Sequence, residues 1–212
     1  MSGALETVRN AVRNIVKQIA GVLHRLSGGS ITPNMVTVTS LLAHVPIAYF
    51  IATGSYVLAA GLLVVFGLMD ALDGELARLQ KKASAGGMLL DASTDRMKEV
   101  ILYIGAAYAL INRPVGDYSP ALIAALVVAA CGGSLLVSYV KAKGETAVKD
   151  GSLTANQVNR LFQNGLMRYE VRMFALVVGL LVNELALAVG LIAVTAWYTA
   201  FARLFAIYRK LG

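Results

Sequence analysis

Four aspartates, Asp70, Asp73, Asp91 and Asp95, stand inside a stretch of mostly apolar sequence, DALDGELARLQKKASAGGMLLDASTD. Asp70 and Asp73 are three residues apart and Asp91 and Asp95 four apart. On helices each pair therefore shares a face, with Cβ atoms about 5–6 Å apart. Carboxylates with no His or Cys among them form a hard, oxygen-rich donor set that suits Mg2+ or Mn2+ and argues against zinc or copper. Two such ions would balance four carboxylates in charge, and paired ions about 3.5–4 Å apart are a recurrent clamp for phosphoryl groups. Arg78, two turns beyond Asp70, adds a planar donor for phosphate oxygens.

The elements that must position these acids are membrane helices. The first pair follows directly on the apolar run Tyr56–Met69, and the second leads directly into Val100–Ile111. A carboxylate at the centre of a membrane helix costs about 2.5–3.5 kcal/mol, so the cluster must face a polar cavity or bind cations. The short Gln80–Gly87 turn makes the two helices antiparallel neighbours and brings the pairs to the same depth. The chain has 212 residues, 58% hydrophobic and 15% charged, a composition that excludes an ordinary soluble domain. Six apolar runs approach the roughly 20 residues that a span needs: 35–53, 56–78, 88–111, 119–140, 166–182 and 185–207. The expected fold is all-α and polytopic, with an interfacial helix in residues 1–30 and one six-helix transmembrane domain in 31–212.

Charge placement sets the expected orientation. Of 19 Lys and Arg residues, Arg113 alone falls on the opposite side of a six-span arrangement. By the positive-inside rule both termini and the aspartates face the cytosol, across the cell membrane. The net charge of +7 is thus assigned to anionic lipid headgroups and anionic substrates and not to nucleic acid. The stretch MSGALETVRN has no basic lead-in to an apolar core, so no signal peptide is expected. Cys131 is the one cysteine, which excludes an intrachain disulfide and a cysteine metal cluster.

Along Ala4–Leu26, Leu5, Val8, Val12, Ile15, Ile19, Val22 and Leu26 form one apolar face, with Arg9, Arg13, Lys17 and Arg25 elsewhere. This pattern predicts a helix lying on the membrane surface. Gly28-Gly29-Ser30 ends it, and Thr32-Pro33 opens the first span as an N-cap followed by proline. Asn34 and Thr37 are left over at the cytosolic mouth as polar contacts for a ligand. Pro46 is expected to kink that helix, and His44 to pack or bond to a neighbouring helix. Gly86 and Gly87 ease the turn before the third span and allow close approach of a ligand. Residues 113–117 are an external turn, and Gly132-Gly133-Ser134 a small-residue face for helix packing. A short polar helix is expected to start at Ser152–Gln157. Lys141, Arg168, Arg172 and Arg203 lie at the expected cytosolic ends of three spans, where they can build a basic pocket or a solvated face.

The pattern Asp70-x-x-Asp73-Gly74-x-x-Ala77-Arg78, eight residues, Gly87-x-x-x-Asp91-x-x-x-Asp95 resembles the signature of the CDP-alcohol phosphotransferase family without a departure. The resemblance implies a membrane enzyme of phospholipid biosynthesis. Such an enzyme moves a phosphatidyl-type group from CDP-diacylglycerol, or a similar CDP-linked lipid, to an alcohol and releases CMP. It implies that Asp70, Asp73 and Asp91 hold divalent metal and that Asp95, beside the metal and part of its set, is the general base. Pro33, Asn34, Thr37, Asp73, Gly74, Ala77, Arg78 and Gly87 would line the CDP-lipid, and a homodimer is implied as well. Glu75 and Glu99 lie outside the signature and read as partners of the metal ligands or of basic residues.

Ser138–Lys143 and Gly165–Arg172 are similar to the ends of the fourth and fifth spans in members that use inositol phosphate. Lys141, Arg168, Arg172 and Arg203 would then hold the acceptor's phosphate. So many basic groups favour a phosphorylated acceptor, which glycerol 3-phosphate would also satisfy. A reading from a different class is a cation- or proton-coupled transporter with the aspartates as its pathway. That reading expects acids to continue to the external side, where Asp117 and Glu184 are the acids available and both fall in turns.

Overall fold

The computed structural model describes residues 2–113, 116–148 and 167–211. Lys149, Arg160, the expected helix at Ser152–Gln157, and Pro114 and Val115 lie outside the described residues, as do the side chains of Leu5, Val8, Arg9 and Lys210. Among the described residues the regular structure is helical: α1 (Ser2–Leu26), α2 (Pro33–Thr53), α3 (Tyr56–Leu79), α4 (Ala85–Ile111), α5 (Pro120–Val148), α6 (Tyr169–Leu181) and α7 (Leu185–Leu211).

Local chemistry accounts for the boundaries. Gly28 and Gly29 adopt φ of 57° and 81°, a left-handed backbone that stops α1 at low steric cost. The Thr32 hydroxyl accepts the Met35 N–H at 3.3 Å, and Pro33 follows as the first residue of α2. The third helix joint differs from expectation. Ser84 accepts the Gly87 N–H at 3.1 Å, an N-cap that starts α4 at Ala85 and takes Gly86 and Gly87 out of the turn into the first helical turn. Pro46 lies within a continuous α2.

Among the described residues four helices are long and apolar enough to cross a membrane: α2, α3, α5 through Ala147, and α7 through Arg209. The expected third and fifth spans do not meet that standard. α4 carries Asp91, Asp95, Arg96, Lys98 and Glu99. α6 has 13 residues, about 20 Å at roughly 1.5 Å per residue, short of a hydrocarbon core of about 30 Å. Exposed apolar side chains such as Leu42, Val45, Val128 and Val194 cover the outside of a membrane protein and not of a soluble one.

The chain divides into two compact units, one of Met1–Tyr49 with Gly61–Leu102, the other of Phe50–Ala60 with Tyr103–Gly212. In the first, α1 buries Val16 and Ala20, while Val12, Ile15, Ile19, Val22 and Leu26 face outward. The apolar stripe read from the sequence is therefore not the face that packs on protein. Gln80 donates to the Ile31 carbonyl at 2.8 Å, tying the end of α3 to the start of α2.

In the second unit α7 packs against α5 and α6. A Cβ added at Gly133 would meet Trp197 Cδ1 at 2.9 Å, and the Trp197 indole N–H donates to the Ala129 carbonyl at 3.0 Å. Tyr103 and Ser134 hydroxyls pair at 2.9 Å in the interior. Arg113 donates to the Thr53 carbonyl and lies 5.6 Å from the centre of the Tyr56 ring. The turn expected to be ordinary thus supplies the guanidinium that fastens the α2–α3 turn.

Candidate active site

Three helices of the first unit build the acidic site. On α2, Thr37, Ser40 and His44 recur at helical spacing on one face, and all three are buried. The Thr37 hydroxyl lies 2.5 Å from Asp73 Oδ2 and 3.1 Å from the Pro33 carbonyl. Ser40 Oγ is 3.2 Å from Asp70 Oδ1, and His44 Nδ1 donates to the Ser40 carbonyl at 2.7 Å. His44 is buried, as expected of a packed side chain, and its hydrogen bond is to its own helix. α2 thus places a hydroxyl beside each of the first two aspartates, with Ser40 Oγ equally close to the Phe66 carbonyl at 3.2 Å, a placement the sequence did not reveal.

α3 contributes Asp70 and the buried Asp73, and α4 contributes Asp91 and Asp95. Asp70 lies within electrostatic reach of Asp73, Asp91 and Asp95, and Asp91 within reach of Asp73 and Asp95. Among the described residues no three His, Cys, Asp or Glu side chains are drawn close enough to hold an ion as they stand. α4 also places a cation beside them. Lys98, fully buried, pairs with Asp70 and lies 3.3 Å from Asp95. Its place three residues after Asp95 was a signal open to sequence reading, obscured by the many lysines that obey the positive-inside rule. Asp70 Oδ2 is buried with no hydrogen-bond partner. That orphaned oxygen, in a set of oxygen donors alone, fits a hard divalent ion.

The remaining motif residues line the same helices. Pro33 is buried and Asn34 exposed at the start of α2. A Cβ at Gly74 would meet open space, and one at Gly87 would lie 3.7 Å from Asn34 Oδ1. Ala77 is half-buried. Arg78 is largely exposed and bonds Glu75 at 2.6 Å, and Glu75 is also 3.5 Å from Arg13 of α1. Glu99, fully buried, pairs with Arg96 at 2.5 Å. Both glutamates are thus partners of basic residues, as expected.

The basic residues belong to the second unit. Arg172 is fully buried and donates to the Met167 carbonyl at 2.8 Å. Arg203 is 6% exposed and donates to the Val137 carbonyl at 3.2 Å. Arg168 stands at the N-cap of α6, and Arg168 and Arg172 are both within electrostatic reach of Arg203. Lys141 is half-exposed on α5 and faces Glu145 at 3.8 Å. Three of the four predicted cations are brought together, and Lys141 has an acidic neighbour of its own.

Residues 30–208 match the CDP-alcohol phosphatidyltransferase family. The chain belongs to that family. As a CDP-alcohol phosphatidyltransferase it is 27% identical to an archaetidylinositol phosphate synthase of Pyrococcus horikoshii over 98% of both chains. It is 34% identical to a phosphatidylinositol phosphate synthase of Corynebacterium glutamicum over 68% of this chain and 65% of that one. Among solved structures, phosphatidylinositol phosphate synthase of Mycobacterium tuberculosis with CDP-DAG bound superposes with a TM-score of 0.76. That match covers 92% of this chain and 94% of the other at 23% identity. The same enzyme has been solved with manganese and citrate, with a TM-score of 0.75. These structural likenesses establish the helical fold.

Proposed function

We propose that this transferase moves a phosphatidyl-type group from CDP-diacylglycerol, or a similar CDP-linked lipid, to inositol phosphate and releases CMP. The observation that carries the reading is the end-to-end likeness to an archaetidylinositol phosphate synthase, over 98% of each chain. Supporting it are the buried Arg172 and Arg203, more cationic capacity than an uncharged alcohol needs. Asp70, Asp73 and Asp91 hold the divalent ion, Mg2+ or Mn2+, with Asp95 beside it. When bound, that ion neutralises charge developing on the diphosphate.

Asp95 takes the proton from the acceptor hydroxyl, whose oxygen bonds to the lipid-linked phosphorus as the bridging phosphorus–oxygen bond breaks and CMP departs with that oxygen. Arg78 binds diphosphate oxygens, and the open backbone at Gly74, with Ala77 and Gly87, admits the nucleotide beside Pro33, Asn34 and Thr37. Arg168, Arg172 and Arg203, with Lys141 at the margin, bind the acceptor's phosphate. The chain crosses the cell membrane six times, with this chemistry on the cytosolic side and α1 on the lipid surface, and it works as a homodimer. The test offers the purified protein CDP-diacylglycerol with inositol phosphate, inositol and glycerol 3-phosphate and measures CMP. Release with inositol phosphate is expected. Release with glycerol 3-phosphate alone would replace the acceptor, and no release with any of them would overturn the reading.

A further inference from the structure

Lys98 has no part in the chemistry above, yet it is fully buried among the groups that perform it. Its ammonium pairs with Oδ1 of Asp70 and lies 3.3 Å from Oδ1 of Asp95, so it joins the two acidic helices through one carboxylate of each. A buried ammonium is tolerated where it is paired and hydrogen-bonded, and these carboxylates supply both. The other charges nearby are paired outside this cluster: Glu99 with Arg96, which also lies 3.8 Å from Asp95, and Glu75 with the largely exposed Arg78 and Arg13, whose surplus positive charge is screened by solvent. Counted by themselves, the four aspartates and Lys98 carry four negative charges and one positive, a net of three negative. One divalent ion reduces these to a single negative charge. A second would leave the site positive in a partly desolvated setting, until an anionic ligand arrives.

We propose that Lys98 stands in for one of the two cations that four carboxylates would otherwise require. The donor-free protein then binds one divalent ion, and a second enters together with the diphosphate of the CDP-linked lipid. Lys98 acts as a positioning residue, holding Oδ1 of Asp70 and leaving to the ion Oδ2, the buried oxygen without a partner. The inference rests on the transferase reading and deepens it.

The test is a titration of Mn2+ into the full-length protein in lipid nanodiscs, following the electron paramagnetic resonance signal of free ion. One site per chain is expected without donor and two with CDP-diacylglycerol. Lys98→Met, which keeps the length and removes the charge, should bind two ions without donor, and Lys98→Arg should keep one. Two ions in donor-free wild type, or the same number with and without donor, overturns the proposal while CMP release still supports the transferase. No Mn2+ binding under either condition overturns both. Should Lys98→Met fail to fold, the two wild-type titrations decide.

Discussion

A carboxylate binds an ion well only when its orientation is fixed beforehand, and Asp73, a proposed ligand, has a hydroxyl beside it to do so. The Thr37 hydroxyl reaches Asp73 at 2.5 Å within a buried surrounding. Hydrogen bonds to charged groups contribute about 1.5–3 kcal/mol, or roughly 10- to 150-fold. Thr37→Val should therefore lower kcat/KM by at least tenfold, and Thr37→Ser, which keeps the hydroxyl, should restore most of it. Equal loss in both variants would assign Thr37 to packing. The aspartates themselves should separate by role. Asp70→Asn, Asp73→Asn and Asp91→Asn remove charge from the ion's own ligands and should lose both Mn2+ binding and turnover. Asp95→Asn should keep Mn2+ binding and lose about 10²- to 10⁴-fold in kcat, the usual contribution of a general base. Parallel Mn2+ titrations and rate measurements on the four proteins check this. The motif spacing made these acids legible, because helical periodicity alone places each pair on a face. Thr37, Ser40 and Lys98 were less so, because their roles depend on which helix faces which, a tertiary fact.

At the scale of helices, close packing separates two glycines that the sequence presents as equals. Gly132-Gly133-Ser134 reads as a small-residue face, yet a Cβ on Gly132 would meet nothing, while one on Gly133 would press on Trp197 at 2.9 Å and Ala196 at 3.2 Å. Overpacking of this kind costs about 1–3 kcal/mol, so Gly133→Ala should lower the thermal midpoint in detergent. Gly132→Ala should hold or raise it, since alanine in a helix is favoured over glycine by about 1 kcal/mol. Scanning fluorimetry on the pair distinguishes them, and equal shifts would refute the α5–α7 contact. The basic helices allow a similar contrast. Arg172 and Arg203 are buried, whereas Lys141 is half-exposed beside Glu145. Removing one partner of a desolvated charge pair costs about 2–5 kcal/mol in binding. Arg172→Ala and Arg203→Ala should raise the acceptor KM well above the change in donor KM, and Lys141→Ala should raise it least. Unchanged acceptor KM in all three would leave these residues as topogenic charges alone. α1 carries a related lesson. Its stripe was legible as amphipathic, but period alone did not tell that Val16 and Ala20 would meet protein while Ile15 and Ile19 face outward.

For the whole molecule, the question that composition leaves open is how many times the chain crosses the bilayer. α2, α3, α5 and α7 qualify by length and apolarity. α4 fails through its own active-site charges and α6 through length, so the two least legible spans are short of apolar length for identifiable reasons. The six-crossing topology proposed above has both cross nonetheless, and the charge pattern supports it. With six crossings, Ser55, Asp117 and Glu184 face outward and Ser84 faces the cytosol, and Arg113 is the one Lys or Arg on the outer side. If α4 did not cross, Ser84 and Asp117 would share a side. If α6 did not cross, Glu184 would lie opposite Asp117. In a Cys131→Ser background, single cysteines at Ser55→Cys, Ser84→Cys, Asp117→Cys and Glu184→Cys can be labelled with a membrane-impermeant maleimide. Intact cells should label positions 55, 117 and 184 and spare 84, and inverted vesicles should do the reverse. Labelling of 84 and 117 from one side would remove α4 from the membrane and, with it, the argument that the aspartates need buried cations to stay there.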